Sequence, residues 1–499
     1  MTAFARLLRA EWTKLRTVRG WVLGLAAAAA VIVALGLAPG RQGSCGRNGS
    51  DCTPLLGPQG QEVADSFTLV HRTLDGDGSV TARVADLQGW IEDGPDHRRD
   101  RLVPWAKAGL IIKAGTGQGT AYAAVMLTGE HGVRLQYDYD HDEGRPAGAK
   151  IAPQPVYLRL TRTGDVVKAE SSSDGAAWAT VGTARLPGLP AGVTAGLFVT
   201  SPEYAERVSQ AVVLTGIQGG PSRATAAFDH LATAGSWSPD WRSTVVGAPS
   251  GPAAHPEDLG AEATGGGWRL TGSGDIAPSV AAGGGATVTQ TLAGTFVGLI
   301  FVVVVGAVFV TAEFRRGLLR TTFAAAPRRG RVLAAKALVV GAVTFAGGLA
   351  AAWLVVAFGI DVLRDNGVYI HPTATAVQVR VVVGTAVLLA GCAALGVGLG
   401  ALLRRGVTAV TAAIVVVVLP YLLSVTVLPL RAADWLLSVS PAAAFALQQS
   451  QPRYAQVDSV YSPADGYFPL GACSGLAVLA VWVAAVLAAA AYRLRRRDA

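Results

Sequence analysis

Six uncharged, apolar stretches, each about as long as a lipid bilayer is thick, constrain the fold of this chain more than any other feature. A helix rises about 1.5 Å per residue, so about 20 apolar residues cross a hydrocarbon core roughly 30 Å thick. Inside that core the backbone finds no water to bind, and these stretches are therefore predicted to be helical. The predicted spans are Gly20–Ala38, Leu292–Ala312, Ala337–Phe358, Val381–Leu403, Val407–Leu428 and Pro469–Tyr492.

The distribution of charge predicts how these spans are oriented. Residues 39–289 hold 20 basic and 26 acidic residues, whereas the remaining basic residues crowd the ends of the apolar stretches. Short loops rich in Lys and Arg stay in the cytoplasm. Both termini are therefore expected in the cytoplasm and residues 39–289 outside, as in a multi-pass protein of a bacterial cell membrane. Because the excess of basic over acidic residues is found in short loops at the ends of the spans, we do not expect nucleic acid as a partner. The four basic clusters are residues 1–19, 313–336, 404–405 and 493–498.

The segment before the first span has the pattern of an amphipathic helix. Its apolar residues recur every three or four positions, and basic residues fall between them. Such a helix lies in the headgroup layer, with Trp12 at the interface. A cleaved secretory signal peptide is the alternative interpretation of this basic start and the apolar stretch that follows it. The apolar positions are Phe4, Leu7, Leu8, Trp12 and Leu15.

The loop after the second predicted span contains the most specific motif in the sequence. It begins Glu313-Phe314-Arg315-Arg316-Gly317 and continues to Lys336. Gly317 and Pro327 bracket a short element with apolar and basic faces, which suits a groove on a cytoplasmic partner. Contact with lipid headgroups, as in any basic loop, is the simpler alternative.

The sequence of this loop resembles that of the permease subunit of type-2 ABC exporters, particularly those of actinobacteria. The resemblance rests on Glu-aromatic-Arg-x-Gly-x-x-Arg-Thr-Thr from Glu313, on the amino-terminal Glu-Trp-Thr-Lys-Leu-Arg from Glu11, and on Ser440-Pro441-Ala442. It covers about residues 1–38 and 290–499. It implies an elbow helix along the membrane that contains Glu11, Trp12, Lys14 and Arg16. It also implies ATPase-coupling residues at Glu313, Arg315, Arg316, Gly317, Arg320, Thr321, Thr322, Pro327, Arg328, Arg329, Gly330 and Arg331.

The resemblance also implies partners for the chain. The sequence contains no Gly-x4-Gly-Lys-Ser/Thr phosphate loop, and residues 144–150 are the nearest stretch. We therefore expect a transport subunit that is not an enzyme and carries no cofactor, with ATP bound by a separate cytoplasmic ATPase. The permease itself is expected to pair with a second copy or with a related permease in the bilayer.

The polar block between the first two spans has the pattern of a β domain. Short alternating runs are separated by Gly, Asp and Pro turns across residues 59–235, which predicts a two-sheet sandwich. The runs Ala106–Ile111, Ser172–Trp178 and Ala191–Ser201 resemble concanavalin A-like jelly-roll domains. That resemblance implies an extracellular domain with a glycan as candidate ligand. The Gly/Pro-rich residues 236–289 are expected to form a small subdomain or a stalk.

Acidic residues of this block are candidates for chemistry or metal binding. Asp138, Asp140, Asp142 and Glu143 run from a predicted strand into a loop. Glycoside hydrolysis needs two carboxylates about 5 Å apart. Solvated loop charge is the favoured interpretation, ahead of calcium binding and of hydrolysis. No catalytic residue and no metal ligand is therefore assigned.

The four cysteines divide by predicted compartment. Cys45 and Cys52 lie just outside the first span, in an oxidising location, and a disulfide between them is expected. Cys392 and Cys473 lie within spans and are interpreted as small packing residues.

The predicted architecture is therefore an α-helical membrane bundle of six transmembrane helices with an extracellular mainly-β domain. The favoured function is the permease of an ATP-driven exporter. A membrane-anchored carbohydrate-binding or sensory receptor without transport is the alternative, and an anchored glycan hydrolase comes third. The predicted segments are 1–38 for the elbow and first span, 39–58 for an outer linker with the disulfide, 59–235 for the sandwich, 236–289 for the subdomain or stalk, and 290–499 for five further spans with the coupling loop 313–336.

Overall fold

The computed structural model consists of a helical bundle and a β domain inserted between its first two long helices. The structure describes residues 3–38, 43, 45, 52, 54–94, 97–144, 155–211, 214–247, 258–280, 285–318, 321–322, 328–457, 459 and 461–496.

Within these described residues, six helices are long and apolar enough to cross a membrane, which confirms the predicted helical membrane bundle. The six long helices carry apolar side chains on all faces of their central turns, which suits them to lipid rather than to water. A separate amphipathic helix, α1, precedes them. The helices are α1 (Ala3–Thr17), α2 (Arg19–Leu37), α3 (Val288–Thr291), α4 (Gly294–Arg315), α5 (Arg329–Asp365), α6 (Thr375–Leu403), α7 (Gly406–Thr426), α8 (Leu430–Val439) and α9 (Ala472–Arg496), with 3₁₀ turns at Pro441–Gln448 and Pro463–Asp465.

Glycines allow the helices of the bundle to cross closely. A Cβ atom on Gly400 would lie 2.6 Å from the carbonyl oxygen of Ala307, and one on Gly396 would lie 2.6 Å from that of Val303. Helix α4 therefore packs backbone to backbone against α6, as small-xxx-small patterns allow. A Cβ atom on Gly298 of α4 would in the same way meet the side chain of Ile32 in α2, at 2.5 Å.

Helix α7 contains one wide turn. Ile414–Val418 is π-helical, and Pro420 is the second residue after this turn. Proline has no N–H to donate to the preceding turn, and a π-turn is one way in which a helix absorbs that missing bond. The hydroxyl of Ser424 donates to the carbonyl of Pro420 at 2.8 Å, so the next turn is continuous.

The β domain is a two-layered antiparallel structure, which confirms the predicted mainly-β part of the fold. The long strand β2 passes through both layers, and its first and second halves pair with different neighbours. The strands are β1 (Val63–Asp65), β2 (Phe67–Gly94), β3 (His97–Asp100), β4 (Lys107–Lys113), β5 (Tyr122–Thr128), β6 (Val133–Tyr137), β7 (His141–Gly144), β8 (Val156–Thr163), β9 (Val166–Ser172), β10 (Ala179–Arg185), β11 (Gly192–Thr200), β12 (Tyr204–Ala211), β13 (Leu214–Gly220), β14 (Ser222–Trp237), β15 (Arg242–Val246), β16 (Gly260–Thr264), β17 (Gly267–Gly272) and β18 (Ile276–Pro278).

Alternating side chains form the core between the two layers. One layer runs β15, β2, β11, β4, β5, β6, β7, and the other runs β10, β9, β8, β2, β14, β17, β16. Burial in β8 alternates strictly, as a half-buried strand requires. The core contains Val80, Ala82, Leu158 and Leu160 from one layer, and Leu110, Ile112, Val125 and Leu135 from the other.

The sheets extend beyond the predicted sandwich boundary at residue 235. Strand β15 pairs with the first half of β2, and β17 pairs with β14, although both lie in the segment expected to be a subdomain or stalk. This extension occurs because β2 is long enough to pair with strands from the later segment as well as with its sequence neighbours. The Gly and Pro content of the later segment suggested a stalk, because composition does not show pairing with distant strands.

The outer face of the β15–β7 layer is covered by the chain itself. Phe67, Ile111 and Phe198 on this face are fully buried beneath Val63 and Ile276 of the short strands β1 and β18. Both ends of the inserted domain therefore fold back onto one of its sheets.

Candidate functional site

A closed ring of four alternating charges joins three helices on one side of the bundle. Lys14 Nζ of α1 lies 2.8 Å from Glu11 Oε1 and 3.3 Å from Glu313 Oε1 at the end of α4. Lys336 Nζ of α5 lies 2.7 Å from Glu11 Oε2 and 2.7 Å from Glu313 Oε2. Each ammonium group thus bridges both carboxylates. We refer to these four residues as the charge ring.

The charge ring is mostly shielded from solvent. Glu11 and Lys336 are each 1% exposed, and Glu313 is 7% exposed. Burial opposes the charged form of Lys14, but hydrogen bonds and attraction from Glu11 and Glu313 outweigh it, so the pKa of Lys14 lies above its ordinary value. Lys336 Nζ also lies 5.0 Å from the centre of the Phe309 ring, a cation–π distance. Buried charges persist only when they are paired, and here each has two partners.

The amphipathic pattern of α1 explains why this helix reaches the ring. Leu15 is buried against the bundle, whereas Trp12 is 46% exposed and Arg16 is exposed. Glu11 and Lys14, three residues apart, occupy one side of the helix and pair with each other; Glu11 also reaches Lys336, and Lys14 also reaches Glu313. Of the four predicted elbow residues, the structure brings two into the ring and leaves two at the surface.

The predicted coupling residues bracket the segment between α4 and α5. Arg315 ends α4, and Gly317 has a φ of +69°, a conformation that favours glycine and stops the helix. The hydroxyls of Thr321 and Thr322 donate to the carbonyl of Leu318 at 2.8 Å and 3.0 Å. Arg320 and Pro327 lie outside the described residues. Arg316 caps α4, Arg328 caps α5, and Arg329, Gly330 and Arg331 form the first turn of α5.

The helix ends near the ring define the arginine-rich side of the bundle. Arg404, at the end of α6, lies over the Phe314 ring at 5.3 Å, and Arg493 of α9 donates to the carbonyl of Leu402 at 3.1 Å. Arg329 of α5 donates to the carbonyl of Leu494. All four basic clusters of the sequence therefore meet here.

Lys336 is the ring residue that sequence reasoning missed. In the sequence, Lys336 is one of several basic residues in the loop 313–336, and nothing beside it indicates a buried ion pair. A signal was present, because the four basic clusters contain 16 Arg and only two Lys, and those two are Lys14 and Lys336. The compact ammonium group suits a buried site with two carboxylates, whereas the larger guanidinium suits the surface.

On the opposite side of the bundle, Glu62 joins the β domain to the helices. Its Oε2 lies 2.6 Å from His371 Nδ1, and its Oε1 accepts a hydrogen bond from Tyr369. Both partners belong to the segment between α5 and α6. Backbone bonds join the same segment to both ends of the insertion, from Cys45 to Gly367 at 3.0 Å and from Ala286 to Tyr369 at 2.8 Å. We refer to Glu62, Tyr369 and His371 as the latch.

A second contact between the β domain and the helical bundle involves a strained turn of the β domain. Asp138 and Tyr139 both have positive φ, at 47° and 72°, which is uncommon outside glycine. The Tyr139 hydroxyl donates to Asp65 at 2.7 Å, and Lys113 Nζ reaches Asp65 at 2.8 Å, which holds the turn from beneath. The side-chain amide of Gln456, between α8 and α9, donates to the carbonyl of Asp140 at 3.2 Å.

A pocket lies on the same side of the bundle as the latch, between α4, α7 and the 3₁₀ turns. The amide of Gln448 lines it and donates to Thr385 at 2.8 Å and Thr295 at 3.2 Å. The rings of Phe445 and Tyr421 pack against each other at a tilt of 31°, with centres 4.5 Å apart. The aromatic lining is Phe296, Tyr421, Phe445 and Phe468.

The acidic residues of β7 form ion pairs and hydrogen bonds with residues of the neighbouring strand β6. Asp142 pairs with Arg134, and Glu143 accepts a hydrogen bond from Tyr137 at 3.2 Å. Burial raises the pKa of Asp138. Within the described part of the chain, no group of three or more His, Cys, Asp or Glu side chains is arranged to hold a metal ion.

Cys45 and Cys52 form a disulfide, with Cα atoms 5.1 Å apart. Cys392 is buried within α6, and Cys473 is exposed near the start of α9. The disulfide closes a small loop in the linker that leads from α2 to the β domain.

Comparisons with known proteins define the class. The profile of the ABC-2 family transporter proteins matches residues 19–499. No curated protein matches the chain significantly. Among solved structures, a functionally unknown protein from Saccharomyces cerevisiae is 16% identical, with a TM-score of 0.19 over 36% of this chain and 74% of that one. Scytalido-glutamic peptidase, solved with a peptide-based transition-state analogue, is 10% identical, with a TM-score of 0.22 over 43% of this chain and 99% of that one.

A bundle of six membrane-capable helices with a basic side defines a multi-pass membrane protein. The chain belongs to the ABC-2 transporter family. It is thus a membrane permease of an ABC transporter, a component that works with a cytoplasmic ATPase subunit.

Proposed function

We propose that this permease converts ATP hydrolysis by a separate ATPase into export, and that the ATPase docks at residues 313–331. The observation that carries this proposal is the charge ring. It ties Glu313, the first residue of the docking segment, and Lys336, in the first turns of α5 beyond it, to Glu11 and Lys14 of α1. A displacement of the segment would therefore move α1, α4 and α5 together, as a coupling device requires.

The orientation of the chain follows from the same charges. The arginine-rich side is cytoplasmic by the positive-inside rule, and both termini lie there. The β domain is then extracellular, and the helices span the cell membrane of a bacterium. The motif from Glu313 resembles that of actinobacterial permeases. Two copies, or one copy and a related permease, form the transport unit.

The β domain is proposed to be a concanavalin A-like sandwich that acts as a fixed outer cover. Support comes from its two antiparallel layers, from the latch at Glu62, and from the backbone bonds of Cys45 and Ala286, which hold both ends of the domain against the bundle. Residues around Val63 and Ile276 cover one sheet face, which leaves that face no room for a glycan. A glycan ligand, if one binds, uses another surface.

The cargo is proposed to pass the aromatic pocket at the outer end of α4 and α7. Four aromatic rings and the Gln448 amide offer both apolar and polar contact, which suits an amphipathic molecule. The π-turn at Ile414–Val418 lies less than one turn before Tyr421, so a local change of helical winding there would move a wall of the pocket.

The test is purification of the full chain from its native membrane, followed by identification of bound subunits and assay of ATP-dependent transport in vesicles. A bound subunit with both nucleotide-binding motifs, lost in the R315E/R328E variant, is the expected result. The R364E/R431E variant is the matched control, because it reverses two exposed arginines elsewhere on the chain.

A chain that binds glycans and never binds an ATPase would contradict the proposal. That outcome would favour a membrane-anchored carbohydrate-binding or sensory receptor. Retention of the ATPase in both variants would leave the transporter class intact but would place the docking site outside residues 313–331.

A further inference from the structure

A lysine and an aspartate of the β domain are enclosed together in its interior. Lys113 ends β4 and Asp65 ends β1, and both side chains are 0% exposed. Lys113 Nζ lies 2.8 Å from Asp65 Oδ2, although 48 positions separate the two residues in the chain. The rings of Tyr122 and Tyr139 lie beside the ammonium group, with centres 5.8 Å and 5.6 Å from Nζ. The two groups are therefore held in contact at a site closed to bulk water.

The two carboxylate oxygens of Asp65 have different surroundings. Besides Lys113, Oδ2 accepts hydrogen bonds from the Tyr139 hydroxyl at 2.7 Å and from the Gly119 N–H at 2.8 Å. Oδ1 is buried and has no hydrogen-bond partner among the described residues. One oxygen is thus held by donors in the manner of an oxyanion hole, whereas no donor holds the other.

The surroundings of Lys113 favour its neutral, nucleophilic form. Burial lowers the pKa of Lys113, although attraction from Asp65 acts in the opposite direction. A proton that moves from Lys113 to Asp65 converts two buried charges into two neutral groups, and an apolar interior favours neutral groups. The pair then consists of a free amine in contact with a carboxylic acid.

We propose that Lys113 and Asp65 condense to form an amide bond between their side chains. Nζ attacks Cγ of Asp65, Oδ2 remains as the amide oxygen bound to Tyr139 and Gly119, and the bond from Cγ to Oδ1 breaks. Two protons of the ammonium group go to Oδ1, which leaves as water, and the third stays on the amide nitrogen. Enforced contact replaces chemical activation of the acid, so the reaction needs no oxidant, reductant or second substrate.

The amide would fix the start of the inserted domain to its sheet. Glu62 of the latch directly precedes β1, so the bond lies beside the contact with the helical bundle.

A similar pair near the other end of the domain lacks this arrangement. Lys107 contacts Asp275, but Asp275 is 11% exposed and the same oxygen, Oδ1, also accepts the N–H of Ile276. The amide is therefore assigned to Lys113 and not to Lys107.

The test is mass spectrometry of the purified full chain after reduction of its disulfide, both intact and after digestion with trypsin. The amide lowers the mass by one water, about 18 Da. It also prevents cleavage after Lys113, so residues 48–72 and 108–134 should appear as one branched peptide. The full sequence mass, together with cleavage after Lys113, would overturn the proposal and leave a buried ion pair.

One other reaction gives the same change of mass. An Asp-Gly bond such as Asp75-Gly76 can close to a succinimide with loss of one water, but trypsin then cleaves after Lys113 as usual. A lower mass without the branched peptide would therefore also overturn the proposal.

Two variants assign the bond to its lysine. K113R keeps the positive charge but replaces the amine, so it should have its full sequence mass and give no branched peptide. K168R changes an exposed lysine of β9 and should retain both the loss of mass and the branched peptide. Loss of one water and a branched peptide in K113R would overturn the assignment. The measurement needs neither ATPase nor cargo, so its outcome is separate from that of the export proposal.

Discussion

Lys336 Nζ lies 2.7 Å from Glu11 Oε2, although 325 positions separate the two residues in the chain. The pair joins the amphipathic helix at the amino terminus to the third long helix. Both side chains are almost fully buried, so neither can exchange its partner for water at small cost. The pair is therefore a fixed joint between α1 and the bundle.

Replacement of Lys336 by Met should destabilise the protein strongly. Two buried carboxylates would share only Lys14, which is partly exposed, and an unbalanced buried charge costs about 3 kcal/mol. Thermal unfolding of the purified chain in detergent measures this loss. The double variant E11Q/K336M removes one charge of each sign and should recover part of the stability. If the double variant were less stable than K336M by the full effect of E11Q alone, the two residues would not be coupled.

Replacement of Glu62 by Ala should loosen the β domain on the bundle. The change removes the acceptor for Tyr369 and His371, both of which belong to the segment on which the domain rests. Hydrogen–deuterium exchange should rise at residues 366–371 and 285–286, because their backbone bonds would open more often. The E203A variant, which changes an exposed glutamate of the same domain, is the control and should exchange like the unmodified chain. Unchanged exchange in E62A would mean that the backbone bonds alone hold the domain.

Asp174 gives a pH-dependent prediction. Backbone N–H groups of Ala177 and Ala176, followed by the Ser172 hydroxyl, hold the pKa of Asp174 at about 2, against an ordinary value of 3.8. Because folding lowers this pKa, the ionised carboxylate stabilises the folded state above pH 3.8, and that contribution is lost as pH falls toward 2. The D174A variant should therefore melt at a lower temperature than the unmodified chain at pH 7. The difference should shrink on acidification, and a difference that grew instead would contradict this assignment.

The sequence predicted the elements that arise from local pattern. Long uncharged stretches predicted the six helices to within a few residues at most ends. The exceptions are α5, which runs from Arg329 to Asp365 rather than from Ala337 to Phe358, and α6, which begins at Thr375 rather than Val381. A helix can continue past the apolar core into water, and Arg329–Lys336 do so with basic residues. In the same way, Ser172, Asp174 and Gly175 form the turn that their letters indicate, with Gly175 at a φ of +76°.

The sequence could not predict which distant residues meet. Glu62 and His371 are 309 positions apart, and neither stands in a recognisable motif. Their pairing depends on how the inserted domain lies on the helices, which no local pattern encodes. The same holds for Lys113 and Asp65, a buried pair that appears in sequence as two isolated charges, each at the end of a strand. Charge alone predicts exposure, and only the fold shows that these residues are buried.

Replacement of Gly400 by Leu provides a test of the bundle itself. Helix α6 contacts α4 so closely that a Cβ atom on Gly400 would lie 2.6 Å from the Ala307 carbonyl oxygen. The two backbones would have to separate, and overpacking of this kind costs about 1–3 kcal/mol. Unfolding of the purified chain should therefore occur at lower denaturant or temperature.

Gly347 is the matched control for this change. It lies within helix α5, and a Cβ atom there would meet nothing within 4 Å. G347L removes the same conformational freedom without a clash, so it should leave stability unchanged or raise it slightly, since leucine favours helix over glycine. A loss of stability in G347L equal to that in G400L would show that both changes act through the helix and not through the α4–α6 contact. A loss confined to G400L supports direct backbone packing between these two spans.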